Sequence, residues 1–148
     1  MKHLGLQFEN MSTPSWFSKD PEFAWGFWAH RFELYKNAKP HEGYYVLKRL
    51  GERVKDNYFI FTSNVDGAFE RVFPEKKIME CHGQVFYMQC TDTDCNSESG
   101  IWRVDSLNVE FDKTSFRAQK PLPQCKKCKS IARPNVLMFY DFSWDPER

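Results

Sequence analysis

Apolar and polar positions change rhythm several times along this chain. Residues 12–21, STPSWFSKDP, are polar and loop-like, and they end in a helix-start signal: Asp20 can cap while Pro21 takes the first helical position. From Pro21 to about Asn37 aromatic residues recur at mixed helical spacing, with Phe23, Phe27 and Leu34 on one face and Trp28, Arg31 and Tyr35 on a neighbouring one. A second helix is predicted from about His41 to Lys55, where Tyr44, Leu47 and Leu50 to Val54 form an apolar stripe. The run Asn57 to Thr62, NYFIFT, then reads as a short buried strand.

That strand exits into the polar turn Ser63-Asn64-Val65-Asp66-Gly67, followed by a brief helix around Ala68 to Val72 and a second strand from about Lys77 to Cys81. Strand, loop, helix, strand, loop is the order of a parallel α/β sheet. Ligands in such sheets sit beyond the carboxyl ends of the strands, so the loops SNVDG and His82-Gly83 fall on one edge. Beyond them lie short β-type runs, Gln84 to Gln89 and Ile101 to Val104, and a polar stretch with Pro121 and Pro123. This part resembles an inserted module without a large core. Arg133 to Tyr140 returns to a buried-strand pattern. Four parts are expected: a helical segment at 1–40, a partial α/β part at 41–82, a small module at 83–132 and a return strand at 133–148, returning to the α/β part.

Composition narrows the function classes. With 148 residues, 41% of them hydrophobic, the chain can bury a core, and its net charge of +1 gives no general field for nucleic acid. Lys126, Lys127 and Lys129 read as a solvated loop. No window approaches the roughly 20 apolar residues that span a bilayer, and MKHLGLQFEN lacks the apolar run of a signal peptide. An intracellular protein is the expectation. In a reducing compartment clustered cysteines are more often metal ligands than disulfides, and five is an odd number for full pairing.

Cys90 and Cys95 form one close pair, C-x4-C, and Cys125 and Cys128 another, C-x2-C. Two such pairs joined by a loop are how a chain builds a closed tetrahedral thiolate site for structural zinc. The alternatives are four unrelated thiols or two disulfides. Cys81, the fifth cysteine, reads as a small buried hydrophobe within a strand. His82 is either a packed or capping residue or a catalytic base at a strand end.

TSNVDG (Thr62 to Gly67), ECHG (Glu80 to Gly83), the two cysteine pairs and ARPNVLMF (Ala132 to Phe139), in this order and spacing, resemble the sirtuin family of NAD-dependent protein deacylases. The aligned motifs run from about Phe61 to Asp141, and the stretch Trp16 to Leu50 looks like the helical segment preceding them in one branch. The resemblance implies an α/β fold, a partial Rossmann-like parallel sheet with helices, carrying an inserted zinc-binding module. It implies that an acyl-lysine oxygen attacks the anomeric carbon of the nicotinamide ribose, that a histidine then acts as general base on a ribose hydroxyl, and that free lysine and O-acyl-ADP-ribose result. His82 falls on that histidine, and imidazole titrates near neutrality. Thr62, Ser63, Asn64 and Asp66 fall on cofactor-binding positions, though Asn64 and Asp66 could equally be turn formers. Val136 and Phe139 match the strand and pocket that receive the acyl-lysine, where a peptide pairs as an added strand; as plain residues they read as core. Zinc and NAD are the implied cofactors, and an acyl-lysine protein or peptide is the implied partner.

The match is to the middle of a sirtuin. The family's Gly-Ala-Gly loop brings backbone N–H groups to the pyrophosphate. Here the glycines stand at 5, 26, 43, 51, 67, 83 and 100, and no two form a G-x-G. The Gly-Thr-Ser loop and adenosine site that follow in the family are not among these residues either. Ser63 stands where the family has glutamine, and Tyr140 and Asp141 where it has Gly-Glu. Two expectations follow: a deacylase whose residues here are not competent alone, or a zinc-stapled, non-catalytic module that binds protein. Open sheet edges would also favour homo-oligomers.

Overall fold

The computed structural model describes residues 8–147. Residues 1–7, and with them the start of the 1–40 segment and the signal-peptide reading, lie outside the described residues.

Two short helices, α1 (Phe8–Met11) and α2 (Trp16–Lys19), lead into α3 (Pro21–Asn37). Asp20 caps α3 as its sequence suggests, with Oδ1 accepting from the Phe23 N–H at 3.2 Å, and Arg117 grips the same carboxylate at 2.9 and 3.0 Å. The α3 helix is the centre of the molecule. Ala24 to Ala29 and Phe32 are all buried, whereas Leu34, expected on the face of Phe27, is 53% exposed. Burial nearly all round explains why its aromatics show no clean helical stripe. The buried Trp25 indole donates to Ala132 O at 3.0 Å, so its polar edge is satisfied inside the core.

Helix α4 (Glu42–Arg53) starts one residue after a His41 cap. Its stripe exists, but Leu47, Leu50 and Val54 are 45–54% exposed. The helix packs instead through Tyr44 on Phe69 and through Gly51 beside the Tyr58 ring. Strands β1 (Ile60–Thr62) and β2 (Ile78–Glu80) pair in parallel, Phe61 opposite Met79. The brief helix between them is a single 3-10 turn, Phe69–Arg71. The buried strand expected at 57–62 is covered on one side only: Phe59 and Phe61 are 60% and 72% exposed, beside Met79 at 50%. Parallel sheets are ordinarily covered on both faces.

Strand β3 (Gly83–Cys90), helix α5 (Thr93–Ser99), strand β4 (Trp102–Arg103) and strand β5 (Ala132–Val136) follow, with the strands in the order β4-β3-β5, all antiparallel. The return strand thus joins β3 and not the parallel pair. It is also shorter than the 133–140 run, because at Leu137 the backbone N–H turns to His82 O, 2.9 Å away, and at Phe139 to Ser12 O. The helical segment and the module share one core. Val85 and Met88 of β3 are buried against α3, Phe32 meets Phe86 edge-on at 4.9 Å, and Val109, Ala118 and Leu122 join the same cluster.

The α/β architecture is a parallel strand pair with helices, carrying a module whose cysteines converge. No helix among the described residues is long and apolar enough to cross a membrane.

Candidate functional site

Cys90 ends β3, and Cys95 sits in the first turn of α5, where its N–H donates to the capping Asp92 Oδ1 at 3.0 Å. Cys125 and Cys128 belong to one turn, closed by Cys125 N–H to Ser130 O and Lys129 N–H to Cys125 O. The four Sγ atoms all lie within 4.8 Å of one another, with Cys90 to Cys128 at 3.5 Å and Cys95 to Cys125 at 3.8 Å. A tetrahedron of sulfurs around zinc, with bonds of about 2.3 Å, has edges of about 3.8 Å. The donor set fits that ion. All five thiols are free, which removes the reading as two disulfides. Hydrogen bonds from Ser130 hold the Cys128 thiol down at about 6, and the Cys128 backbone N–H lowers that of Cys125. Burial pushes Cys90 up, which a metal's charge offsets. Four thiolates leave no open position, so such a metal is structural.

Cys81 stands apart, half-buried, its thiol donating to Thr62 O at 3.3 Å.

The second feature is a cleft of about 570 Å³ beyond the carboxyl ends of β1 and β2. His82 opens into it, together with Ser63 and Val65 from the loop after β1, Val136 and the segment Leu137 to Phe142. The backbone on both sides of His82 is fixed: Cys81 N–H donates to Thr62 O at 3.0 Å, and His82 O accepts from Leu137 N–H at 2.9 Å. Among the described residues the imidazole itself has no hydrogen-bond partner. The neighbouring turn is held by its own side chains. Thr62 Oγ1 accepts from Asn64 N–H and Asp66 Oδ1 from Ala68 N–H, both at 3.0 Å. Asn64 is exposed, and neither it, Thr62 nor Asp66 lines the cleft. The structure therefore brings His82, Ser63, Val136 and Phe139 together and gives Thr62 and Asp66 turn-forming bonds.

Gly83 is what lets the chain turn here. Its φ is +71°, and a Cβ would lie 2.1 Å from Asn135 O. Gly100 has a similar φ, +64°, but open space. With ψ at −163°, Gly100 has a backbone that essentially only glycine adopts, and Gly100→Ala is expected to cost about 1–3 kcal/mol from that strain alone. Gly83→Ala should cost on the order of 3–4 kcal/mol, the collision adding to left-handed strain. Denaturant unfolding of the two variants side by side reads the difference.

Several residues of the cleft were not identified from sequence as functional, Ser12 and Val65 among them. Trp28, Arg31 and Tyr35 line the opposite wall, the Arg31 guanidinium donating to Tyr35 Oη at 2.6 Å and lying 5.3 Å from the Phe27 ring. Their shared helical face was the available signal. The Trp28 indole N–H is buried there without a partner among the described residues. At the rim Tyr140 adopts φ +57° and is 84% exposed, and Phe142 is fully open to solvent.

Residues 4–143 match the model of the Sir2 family, and the chain belongs to that family. It is 33% identical to an NAD-dependent protein deacylase of Leptospira interrogans over 132 residues, 88% of this chain and 47% of that protein. It is 32% identical to NAD-dependent protein deacylase 1 of Archaeoglobus fulgidus, again over 88% and 47%. Among solved structures, a mutant Sir2 homologue in complex with ADP-ribose superimposes with a TM-score of 0.73 at 30% identity, over 95% of this chain and 50% of that one. A Sir2 homologue–NAD complex gives 0.69 at 31% identity, over 88% and 45%. The chain spans about half the length of the curated relatives it matches.

Proposed function

We propose that these residues form the acyl-lysine and ribose side of an NAD-dependent protein lysine deacylase site, with His82 as general base. The observation that carries this reading is the shared cleft: His82 opens into it beside Ser63, facing the wall from Val136 to Phe139. When bound, NAD supplies the ribose carbon that accepts the acyl oxygen as nicotinamide leaves. The imidazole, unpartnered among the described residues and pinned by its backbone, can take a proton from a ribose hydroxyl. The apolar surfaces of Val136 and Phe139 suit the lysine methylenes, and an extended peptide can pair along this segment. Asn64, exposed on the loop after β1, and Asp66 would approach the ribose and nicotinamide from that loop, outside the cleft lining.

The residues present fit the ribose end of NAD and not its pyrophosphate. Phosphates need clustered N–H donors at a helix start. Of the two long helices, α3 opens on Pro21, which has no N–H, and gives the Phe23 N–H to the Asp20 carboxylate, while α4 gives the Gly43 N–H to His41 Nδ1 at 3.1 Å. The expected result is that these 148 residues bind NAD only in the millimolar range or weaker and do not deacylate an acetyl-lysine peptide. Turnover by this chain that His82→Ala abolishes would overturn the competence half of the proposal. In a polypeptide or complex that also carries a pyrophosphate site, His82→Ala should lower kcat by about 10²–10⁴-fold with little change in KM.

The bare apolar surface of Phe59, Phe61 and Met79 favours a second reading, a zinc-stapled protein-binding module. Open strand edges make self-association through it the expectation for the isolated chain. Micromolar NAD affinity by isothermal titration would exclude that reading.

A further inference from the structure

The segment Ser143 to Asp145 is tied to residues beside the cysteine cluster by hydrogen bonds that neither the cysteines nor the cleft requires. Asn96, the residue after Cys95, is 8% exposed; its Oδ1 accepts from the Cys90 N–H at 3.0 Å, and its Nδ2 donates to Asp145 Oδ2 at 2.9 Å. One amide therefore spans two of the four sulfur-bearing residues and holds the tail. The tail is held again from β3 and β5. Gln89 Nε2 donates to Ser143 O at 2.8 Å, and Asn135 Nδ2 to both Gln89 Oε1 and Asp145 O, at 3.0 and 2.8 Å. The Asp145 N–H donates to Gln89 Oε1 at 3.2 Å. Ser143 in turn bonds Asp141, whose Oδ2 accepts from the Met138 N–H at 3.3 Å, and Met138 to Phe142 are a wall of the cleft.

We propose that Asn96 and Asp145 are positioning residues: through Gln89 and Asn135 they couple metal loading of the cysteine cluster to the placement of the cleft wall from Met138 to Phe142. The proposal rests on the zinc and cleft readings above. A buried amide network holds one arrangement because a half-made one leaves donors unsatisfied. Asn96 can bond the Cys90 backbone and Asp145 together only while α5 is kept against the end of β3. With a metal joining Cys90 and Cys95, that distance is fixed. Without it, α5 is a seven-residue helix with no such tether, and Asp145 Oδ2 loses its partner while Oδ1 keeps the Glu147 N–H at 3.0 Å.

Amide hydrogen exchange on zinc-loaded and chelated protein tests this, using the natural chain, Asp145→Ala and Asp145→Asn. In the natural chain chelation should speed exchange across residues 137–145 by about tenfold, the equivalent of one buried hydrogen bond. Zinc-loaded Asp145→Ala should show the same acceleration while still holding about one zinc, and chelation should add less than about twofold more. Asp145→Asn keeps an acceptor for Asn96 and should behave as the natural chain. Exchange across residues 24–32 of α3 reports global unfolding. If chelation opens α3 as well, the zinc-loaded variants decide alone, and equal exchange in Asp145→Ala and Asp145→Asn overturns the proposal. It is overturned equally if residues 137–145 ignore zinc in the natural chain, or if Asp145→Ala responds to chelation as the natural chain does. Protein that holds no zinc would show in metal analysis and would defeat the metal reading together with the coupling.

Discussion

Cys125→Ser, or chelation of the metal, is expected to cost on the order of 5 kcal/mol and to melt residues 91–131 ahead of α3. Between β3 and β5 the chain has little of its own to hold it. Apart from α5 and the two-residue β4, its strand-type pairing comes down to the isolated bridges Phe111–Ala118 and Gln124–Ile131. Its buried apolar side chains are few, Val109, Phe116, Ala118 and Leu122. Such a segment orders too many residues for the apolar area it removes from water. Four thiolates around zinc would make up the difference, because the bound geometry exists only in the folded state. The cost should be smaller than the roughly 10–16 kcal/mol of isolated zinc-finger peptides, since β3 and β5 remain packed on α3. Zinc content together with thermal unfolding checks this. A Cys125→Ser protein that lacks zinc yet melts with the natural chain would contradict it.

Arg133→Met is expected to cost about 3–5 kcal/mol. The Arg133 and Asp141 side chains are 2% and 0% exposed and meet through two bonds of 2.6 and 3.0 Å. Asp141 also accepts from the N–H of Met138 and from Ser143, so it organises the chain leaving β5. Removing the guanidinium leaves a carboxylate in the interior without its counter-charge. The loss should appear as a lower denaturant midpoint with an unchanged slope, and as greater mobility at Met138 to Phe142. A variant within about 0.5 kcal/mol of the natural chain would show that the pair carries no such burden.

What could be read from the sequence was local. Asp20-Pro21 announces the start of α3 because capping needs only neighbouring residues, and the two cysteine pairs announce their site because short spacings fix sulfur positions. ECHG placed His82 at a strand end, and Gly83 turns out to be the one residue type that its backbone and Asn135 permit. What could not be read depends on distant residues. Phe61 and Leu50 are apolar and so looked buried, but nothing local says whether a face is covered. Trp28 and Arg31 lie on a helix buried nearly all round, where period alone cannot separate a cleft wall from a core. The end of β5 is set by His82, Ser12 and Asp141, and Asn96 finds Asp145 across 49 positions of sequence.

His82 and the Val136–Phe139 wall are proposed to receive an acylated lysine together. This is tested most directly by NMR titration of the labelled chain with an acetyl-lysine peptide and with the same peptide unmodified. The acetylated peptide alone should shift the His82 imidazole and the amides of Ser63 and Val136 to Phe139. Equal shifts from both peptides, or shifts confined to α4 and the bare face of β1 and β2, would contradict the account.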